Sequence, residues 1–284
     1  MAGMQWSDTR IRGAGHVVEV LAVSWRGSSL AALKNGPLSP PELLAVFKTV
    51  QPSTVPVFGP HAVYIECVKR HLAVLARGGL LDVGPLNGGR RQYLLTPFAR
   101  AMLDAAEQTA DYGVRVYDWL VDVGRQSRKI STSLSARDFE PAVLGMSESE
   151  RFRWRAVLLI FARLLGHRWS FTVLAMLADG PARFSSLLER AGSLLPAAPT
   201  SASTTVRLGR STLTNRLEYL RSVGLVEKVD DSAHRNPARP PGSREVAYVL
   251  TDGGRDLLEN LEGIAEFGVL HDAALVKAVR ALTP

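Results

Sequence analysis

The side chains best suited to specific chemical contacts lie at the start of one predicted helix. They are Arg207, Arg210, Thr212, Thr214, Asn215 and Arg216. Arginine can form paired hydrogen bonds with guanine O6 and N7, and asparagine can form them with adenine N6 and N7. These residue types at an exposed helix end therefore suit the reading of DNA bases, although any solvated helix face carries similar side chains.

A basic loop follows that helix and favours the interpretation as a DNA contact. Between residues 207 and 244, eight basic residues stand against four acidic ones, whereas residues 169–284 as a whole carry thirteen of each. Three of these arginines lie among proline and glycine, namely Arg235, Arg239 and Arg244. A loop of this composition suits contacts with phosphates or with the minor groove.

Capping signals and hydrophobic periodicity predict the elements that position these residues. The prediction gives helices over 147–165, 169–178 and 254–267, a helix that starts at Ser186, a helix capped by Ser211, and strands over 225–229 and 245–250. This order is that of a helix-turn-helix followed by a β-hairpin wing. In that architecture the second helix of the motif enters the major groove.

An internal repeat spans most of the chain. Trp25 recurs as Trp169, the segment 71–80 as 216–225, and Tyr93 as Tyr248, at offsets of 144, 145 and 155 residues. The landmarks keep their order and nearly keep their spacing, which indicates one domain duplicated in tandem. We therefore predict a first unit over 15–124, a linker over 125–146 and a second unit over 147–284.

Four motifs of the second unit together resemble the HxlR-type, MarR-like winged helix-turn-helix transcription factors. The motifs are Gly166-His167-Arg168-Trp169, Gly180-Pro181-x-x-Phe184, Leu213-Thr214-x-Arg216-Leu217-x-x-Leu220-x-x-x-Gly224-Leu225-Val226 and Tyr248-x-Leu250-Thr251-x-x-Gly254. Residues 17–113 carry a degenerate version. The resemblance implies a sequence-specific DNA-binding transcriptional regulator. Members of this family are normally homodimers, so a tandem chain predicts a single-chain pseudo-dimer, with a homodimer of four reading heads as the alternative.

The first unit carries a weaker set of candidate DNA contacts. We predict its recognition helix over 60–77 and a short wing over 82–91. The candidate residues are His61, Tyr64, Lys69 and Arg70 on the helix and Arg90 and Arg91 in the wing. We expect this face to touch DNA as well.

Four tryptophans fall on predicted helices outside the reading heads: Trp25, Trp119, Trp154 and Trp169. Packing in the core or between the units is the favoured interpretation. The alternative is an aromatic-lined pocket for a small hydrophobic or aromatic effector.

Composition excludes several other classes of protein. The chain has 284 residues and a net charge of +7, and its single cysteine, Cys67, excludes an internal disulfide framework and a multi-cysteine zinc site. The six histidines lack metal-ligand spacing, and the sequence contains neither a Walker loop, nor a Gly-x-Ser-x-Gly motif, nor a complete dinucleotide fingerprint. No apolar run reaches the length of a membrane span. We expect a cytoplasmic protein without enzymatic activity or cofactor.

The sequence therefore predicts a mainly α-helical α+β fold with small β-hairpin wings, built as two tandem winged helix-turn-helix domains. Double-stranded DNA is the expected partner. The second hypothesis is a non-catalytic protein that binds or sequesters small molecules on a degenerate winged-helix fold.

Overall fold

The computed structural model describes residues 6–22, 24–49, 65–87, 90–126, 146–166, 168–194, 208–230 and 246–282. Within these ranges the first unit contains α1 (Asp8–Leu21), α2 (Ser24–Ala32), α3 (Pro40–Thr49), α4 (Ile65–Arg77), β1 (Leu81–Asn87), β2 (Arg90–Leu95), α5 (Pro97–Glu107), α6 (Ala110–Arg115) and α7 (Tyr117–Gln126). The chain is thus mainly helical with small antiparallel sheets, as the sequence predicts.

The second unit repeats this order of elements. It contains α8 (Glu148–Leu159), a π-helical segment (Ile160–Leu165), α9 (Arg168–Met176), a 3-10 turn (Leu177–Asp179), β3 (Ala182–Arg183), α10 (Phe184–Leu194), α11 (Arg210–Ser222), β4 (Val226–Asp230), β5 (Val246–Leu250), α12 (Asp252–Asn260), α13 (Glu262–Leu270) and α14 (Asp272–Leu282). Among the described residues of each unit, four α-helices precede a β-hairpin and three α-helices follow it.

Several boundaries differ from the sequence prediction. The helix predicted over 254–267 is two helices, α12 and α13, because the chain leaves helical geometry at Leu261, and a third helix, α14, follows. Gly209, rather than Ser211, is the N-cap of α11. Helix α10 begins at Phe184 instead of Ser186 because it follows directly on β3, a strand that the sequence pattern did not predict. Helix α1 begins at Asp8, ahead of the start predicted for the first unit.

The two hairpins are held differently. In the second unit β5 is the central strand of the order β3-β5-β4, in which Lys228 lies opposite Tyr248. In the first unit β1 and β2 form a two-stranded sheet with an irregularity between Val83 and Leu86. A single bridge from Leu38 to Tyr93 stands there in place of a third strand.

The first helix of each unit packs against the last helices of the other unit. Helix α1 lies against α9, α13 and α14, and α8 lies against α2, α5, α6 and α7. Trp6, which precedes α1, is buried with its ring edge-on to Phe171 of α9, with centroids 5.5 Å apart. The two units therefore share one continuous hydrophobic core.

Two ion pairs occupy corresponding places at the two junctions. Arg10 of α1 binds Glu266 of α13 at 3.4 Å, and Arg153 of α8 binds Asp111 of α6. Arg153 lies 143 residues after Arg10, and Glu266 lies 155 residues after Asp111. These offsets are close to, or equal to, those of the repeat, so matched residues make matched contacts.

Close backbone approaches recur at the same two junctions. A Cβ atom on Gly13 would lie 2.5 Å from the carbonyl carbon of Gly268, which excludes a side chain where α1 crosses α13. At the other crossing, a Cβ atom on Gly113 would lie 2.9 Å from the Cβ of Ala156. Gly113 and Gly268 are again 155 residues apart.

None of the helices in the described part of the chain is long and apolar enough to cross a membrane.

Candidate nucleic-acid interface

Helix α11 is fixed by one apolar stripe. Leu213, Leu217 and Leu220 are buried at spacings of four and three residues, and the helix packs against α9. Its N-cap, Gly209, offers no side chain to the first backbone N–H groups. The N-terminus of α11 therefore carries the partial positive charge of a helix end.

The opposite face of α11 is exposed to solvent. Arg210, Thr214 and Asn215 are exposed, as predicted for residues that read bases, and Ser211 and Glu218 share their face. Thr214 Oγ1 donates a hydrogen bond to the Arg210 carbonyl at 3.0 Å, so its hydroxyl proton is engaged within the helix. Asn215 stands near the centre of this face, opposite the buried leucines.

Two of the predicted base-reading residues lie at the edges of the face. Thr212 and Arg216 are half-buried. The Nε atom of Arg216 is buried and has no hydrogen-bond partner among the described residues. Arg216 therefore lies at the edge of the exposed face of α11, and its guanidinium would have to turn outward to contact a molecule bound there.

A glycine turn ends α11 and joins it to the wing. Gly224 has φ +74°, a left-handed conformation that glycine adopts without steric cost. Thr251 links this turn to the next helix: its hydroxyl donates to the Gly224 carbonyl at 2.7 Å and accepts from the Gly254 N–H at 3.2 Å. Thr96 makes the corresponding bonds to Gly79 and Ala99 in the first unit.

The wing of the second unit presents a cation that is not among the DNA contacts predicted from the sequence. Lys228 is exposed on β4, and its Nζ lies 5.7 Å from the ring centroid of Tyr248 on the neighbouring strand. The pairing of a basic residue with an aromatic residue across a predicted hairpin could have identified it. Four predicted contacts lie outside the described residues, namely Arg207, Arg235, Arg239 and Arg244.

Fewer of the DNA contacts predicted for the first unit lie among the described residues. Lys69 and Arg70 are exposed on α4, and Arg91 is exposed on β2. Arg90 lies in β2, but its side chain is outside the described part. His61 and Tyr64 are also outside the described residues, so the structure describes the predicted helix 60–77 only from Ile65.

The tryptophans divide into core and cleft positions. Trp154 and Trp169 are buried and Trp119 is half-buried, whereas the side chain of Trp25 lies outside the described part. The Lys34 ammonium lies 5.1 Å from the Trp154 ring centroid. Trp169 lines a cleft of about 350 Å³, including its open mouth, between α1, α9 and the end of α10. Ile11, His16 and Leu194 line the same cleft.

Cys67 is exposed on α4 and forms no disulfide. The described residues contain no group of three or more His, Cys, Asp or Glu side chains that could hold a metal ion.

Comparison with known protein families gives a match in the second half of the chain. Residues 164–274 match the family model of the HxlR-like helix-turn-helix. The match runs from the end of the π-helical segment to the start of α14 and includes α11 and its wing. No curated protein matches the chain significantly. A domain of this kind suggests DNA binding and transcriptional regulation.

Proposed function

We propose that the protein is a sequence-specific transcriptional regulator that inserts α11 into the major groove of its operator. The observation that carries this proposal is the exposed polar face of α11 on a scaffold that matches the HxlR-like helix-turn-helix. Asn215 lies near its centre and Arg210 at its N-terminal end, where residues of a recognition helix reach base edges. Thr212, Thr214 and Arg216 also belong to the proposed DNA-contacting surface of α11.

The wings supply the contacts to the DNA backbone in this proposal. Lys228 joins Arg235, Arg239 and Arg244 in the second unit, Arg90 and Arg91 act in the first, and Arg207 adds a contact just ahead of α11. Contacts of this kind set the position and affinity of the protein but carry little sequence information.

We further propose that the units arose by tandem duplication and act as a single-chain pseudo-dimer. Three observations support this: the repeated order of elements, the matched pairs Arg10–Glu266 and Arg153–Asp111, and the matched glycine crossings. The reading faces differ in sequence, so the operator is asymmetric rather than palindromic. Light scattering at micromolar concentration should give a mass near 30.8 kDa, and twice that value would refute the pseudo-dimer.

An effector, if one controls the protein, binds in the cleft beside Trp169. This cleft lies between the units and touches the end of α10, the first helix of the helix-turn-helix, so a bound molecule can move the reading head. Its enclosed volume is only about 40 Å³, well below the range of about 300–1,000 Å³ for ligand pockets, so an effector must widen the cleft on binding. A cognate ligand should quench tryptophan fluorescence, and quenching that survives Trp169→Phe would contradict this placement.

The central test is the binding of duplex DNA at several salt concentrations. The full-length protein should select a consensus from a pool of randomised duplexes. Its log affinity should fall by about 0.9 for each phosphate contact per log unit of salt. Absence of DNA binding at low salt, together with tight uptake of a hydrophobic compound, would instead favour a small-molecule-binding protein.

A further inference from the structure

The helices α4 and α11 share one geometry but present different chemistry. Val68, Leu72 and Leu75 of α4 are buried, and each lies 145 residues before one of the buried leucines of α11. The two helices therefore have the same rotational phase. Their exposed faces can be compared position by position at this offset.

Five positions are exposed in both helices at this offset. In α11 they are Ser211, Thr214, Asn215, Glu218 and Ser222, and in α4 they are Glu66, Lys69, Arg70, Ala73 and Arg77. At these five positions α11 holds hydroxyl and amide groups and one carboxylate, while its exposed cations, Arg210 and Arg221, lie outside the shared set. The face of α4 holds three cations and one carboxylate.

The carboxylate on α4 leaves its cations available. Glu66 Oε1 binds Lys69 Nζ at 2.7 Å, but the side chains are 70% and 52% exposed. Exposed pairs of this kind contribute little free energy, so Lys69 can exchange Glu66 for a phosphate. Arg70 and Arg77 form no ion pair with any described residue.

The carboxylate of Glu218 on α11 has a different role from that of Glu66 on α4. Glu218 is exposed beside Asn215 and forms no ion pair within the described part of the chain. A carboxylate here repels phosphates, but it can accept a hydrogen bond from the N4 amino group of cytosine. Asn215 supplies a hydrogen-bond donor and an acceptor, and Glu218 supplies a second acceptor. Together these groups can distinguish one base from another.

We propose, building on the DNA-binding function above, that the two units divide the work: α11 reads bases through Asn215 and Glu218, while α4 clamps phosphates through Lys69, Arg70 and Arg77. The operator then has one specified half and one half with little sequence preference.

The test compares two sets of variants of the full-length protein on two duplexes. The first duplex is the consensus selected by the wild type from a randomised pool, and the second is a scrambled duplex of equal length. Arg70→Ala should weaken binding to both duplexes by the same factor and lower the salt slope by about 0.9. Asn215→Ala and Glu218→Gln should each reduce the preference for the consensus roughly 10-fold, and Asn215→Ala, which changes no charge, should leave the salt slope unchanged.

Arg70→Lys is the matched control for the phosphate clamp. Lysine keeps the charge but loses the planar fork that pairs with guanine, so a phosphate contact should survive and a base contact should not. Thermal melting followed by circular dichroism checks that each variant is folded, since all three side chains are exposed.

Three results would overturn the division of labour. Arg70→Ala could weaken binding only to the consensus, Arg70→Lys could lose specificity, or Asn215→Ala could weaken both duplexes equally. A wild-type protein that binds neither duplex at low salt would instead overturn the DNA-binding function itself.

Discussion

At the residue scale, the crossing of α1 and α13 depends on the absence of two side chains. A Cβ atom on Gly268 would overlap the backbone of Gly13, which cannot rotate away as a flexible side chain could. Overpacking of this kind costs about 1–3 kcal/mol or more because the backbones must separate. We expect Gly268→Ala to lower the thermal unfolding midpoint by several degrees.

Gly192→Ala on α10 is the control for this change. A Cβ atom at Gly192 meets nothing within 4 Å, so alanine should be neutral or should raise helix stability by about 0.5–1 kcal/mol. Equal melting temperatures for the two variants would show that the α1–α13 crossing is not as tight as described.

Tyr112 on α6 provides a pH-dependent contribution to stability. Burial, together with the charge of Asp256, raises the pKa of its hydroxyl to about 12, against the opposing effect of Arg115. The unfolded chain loses this proton near pH 10, earlier than the folded chain does. The contribution is therefore complete below pH 10 and is lost as the pH rises through about 12.

Tyr112→Phe should remove that dependence. Between pH 10 and 12, the free energy of unfolding of the wild type should fall faster than that of the variant, by at most about 1.4 kcal/mol per pH unit. The measurement is chemical denaturation over this pH range. Parallel curves for the two proteins would contradict the assigned pKa.

At the scale of elements, hydrophobic periodicity and capping predict most of the helices. The Ser147–Glu150 capping box forms as the sequence indicates, and so do the stripe of α11 and both hairpins. Other features have no local signal. The apolar positions continue from Leu258 through Leu261 to Ile264, so the pattern does not reveal the break between α12 and α13.

The candidate site is predictable only in part for a similar reason. The sequence indicates which residues belong to α11, but the helix's position on α9 decides that Arg216 is half-buried at one edge. Glu218 shares the exposed face, yet a carboxylate in a basic region gave no signal for DNA contact. The short strand β3 also has no signal, because its two residues depend on pairing with β5.

Trp6 tests how strongly the segment before α1 packs against the second unit. Its buried ring packs on Phe171, and its carbonyl accepts a hydrogen bond from Arg190 Nη2 at 3.3 Å. Trp6→Ala should cost about 3–5 kcal/mol. The rate of amide hydrogen exchange should rise more in α9 and α10 than in α3, because only α9 and α10 lie beside the cavity that the substitution creates.

Leu270→Ala is the control for this variant, since Leu270 is 78% exposed and should change exchange little. A larger rise of the exchange rate in α3 than in α9 for Trp6→Ala would show that the N-terminal segment does not pack against the second unit.

At the scale of the whole molecule, the exchange of first helices makes each unit depend on the other. Helix α1 is held by α13 and α14, and α8 is held by α6 and α7. A protease site inserted between residues 127 and 145 should therefore be cleavable without separating the halves. Light scattering after cleavage should still report about 30.8 kDa.

The uncut protein with the same insertion is the control, and it should elute at the same position. Separation of two fragments under native conditions would show that the contacts at α1 and α8 cannot hold the units together without the covalent connection.

The matched contacts Arg10–Glu266 and Arg153–Asp111 also bear on how the chain can change over generations. In a homodimer every codon is expressed at two symmetric places, so a substitution that suits one half-site of an operator is imposed on the other. Here each place has its own codon. If both units bind DNA as proposed, a single mutation can change the specificity of one unit while the other still binds, so a new operator can be acquired one half at a time.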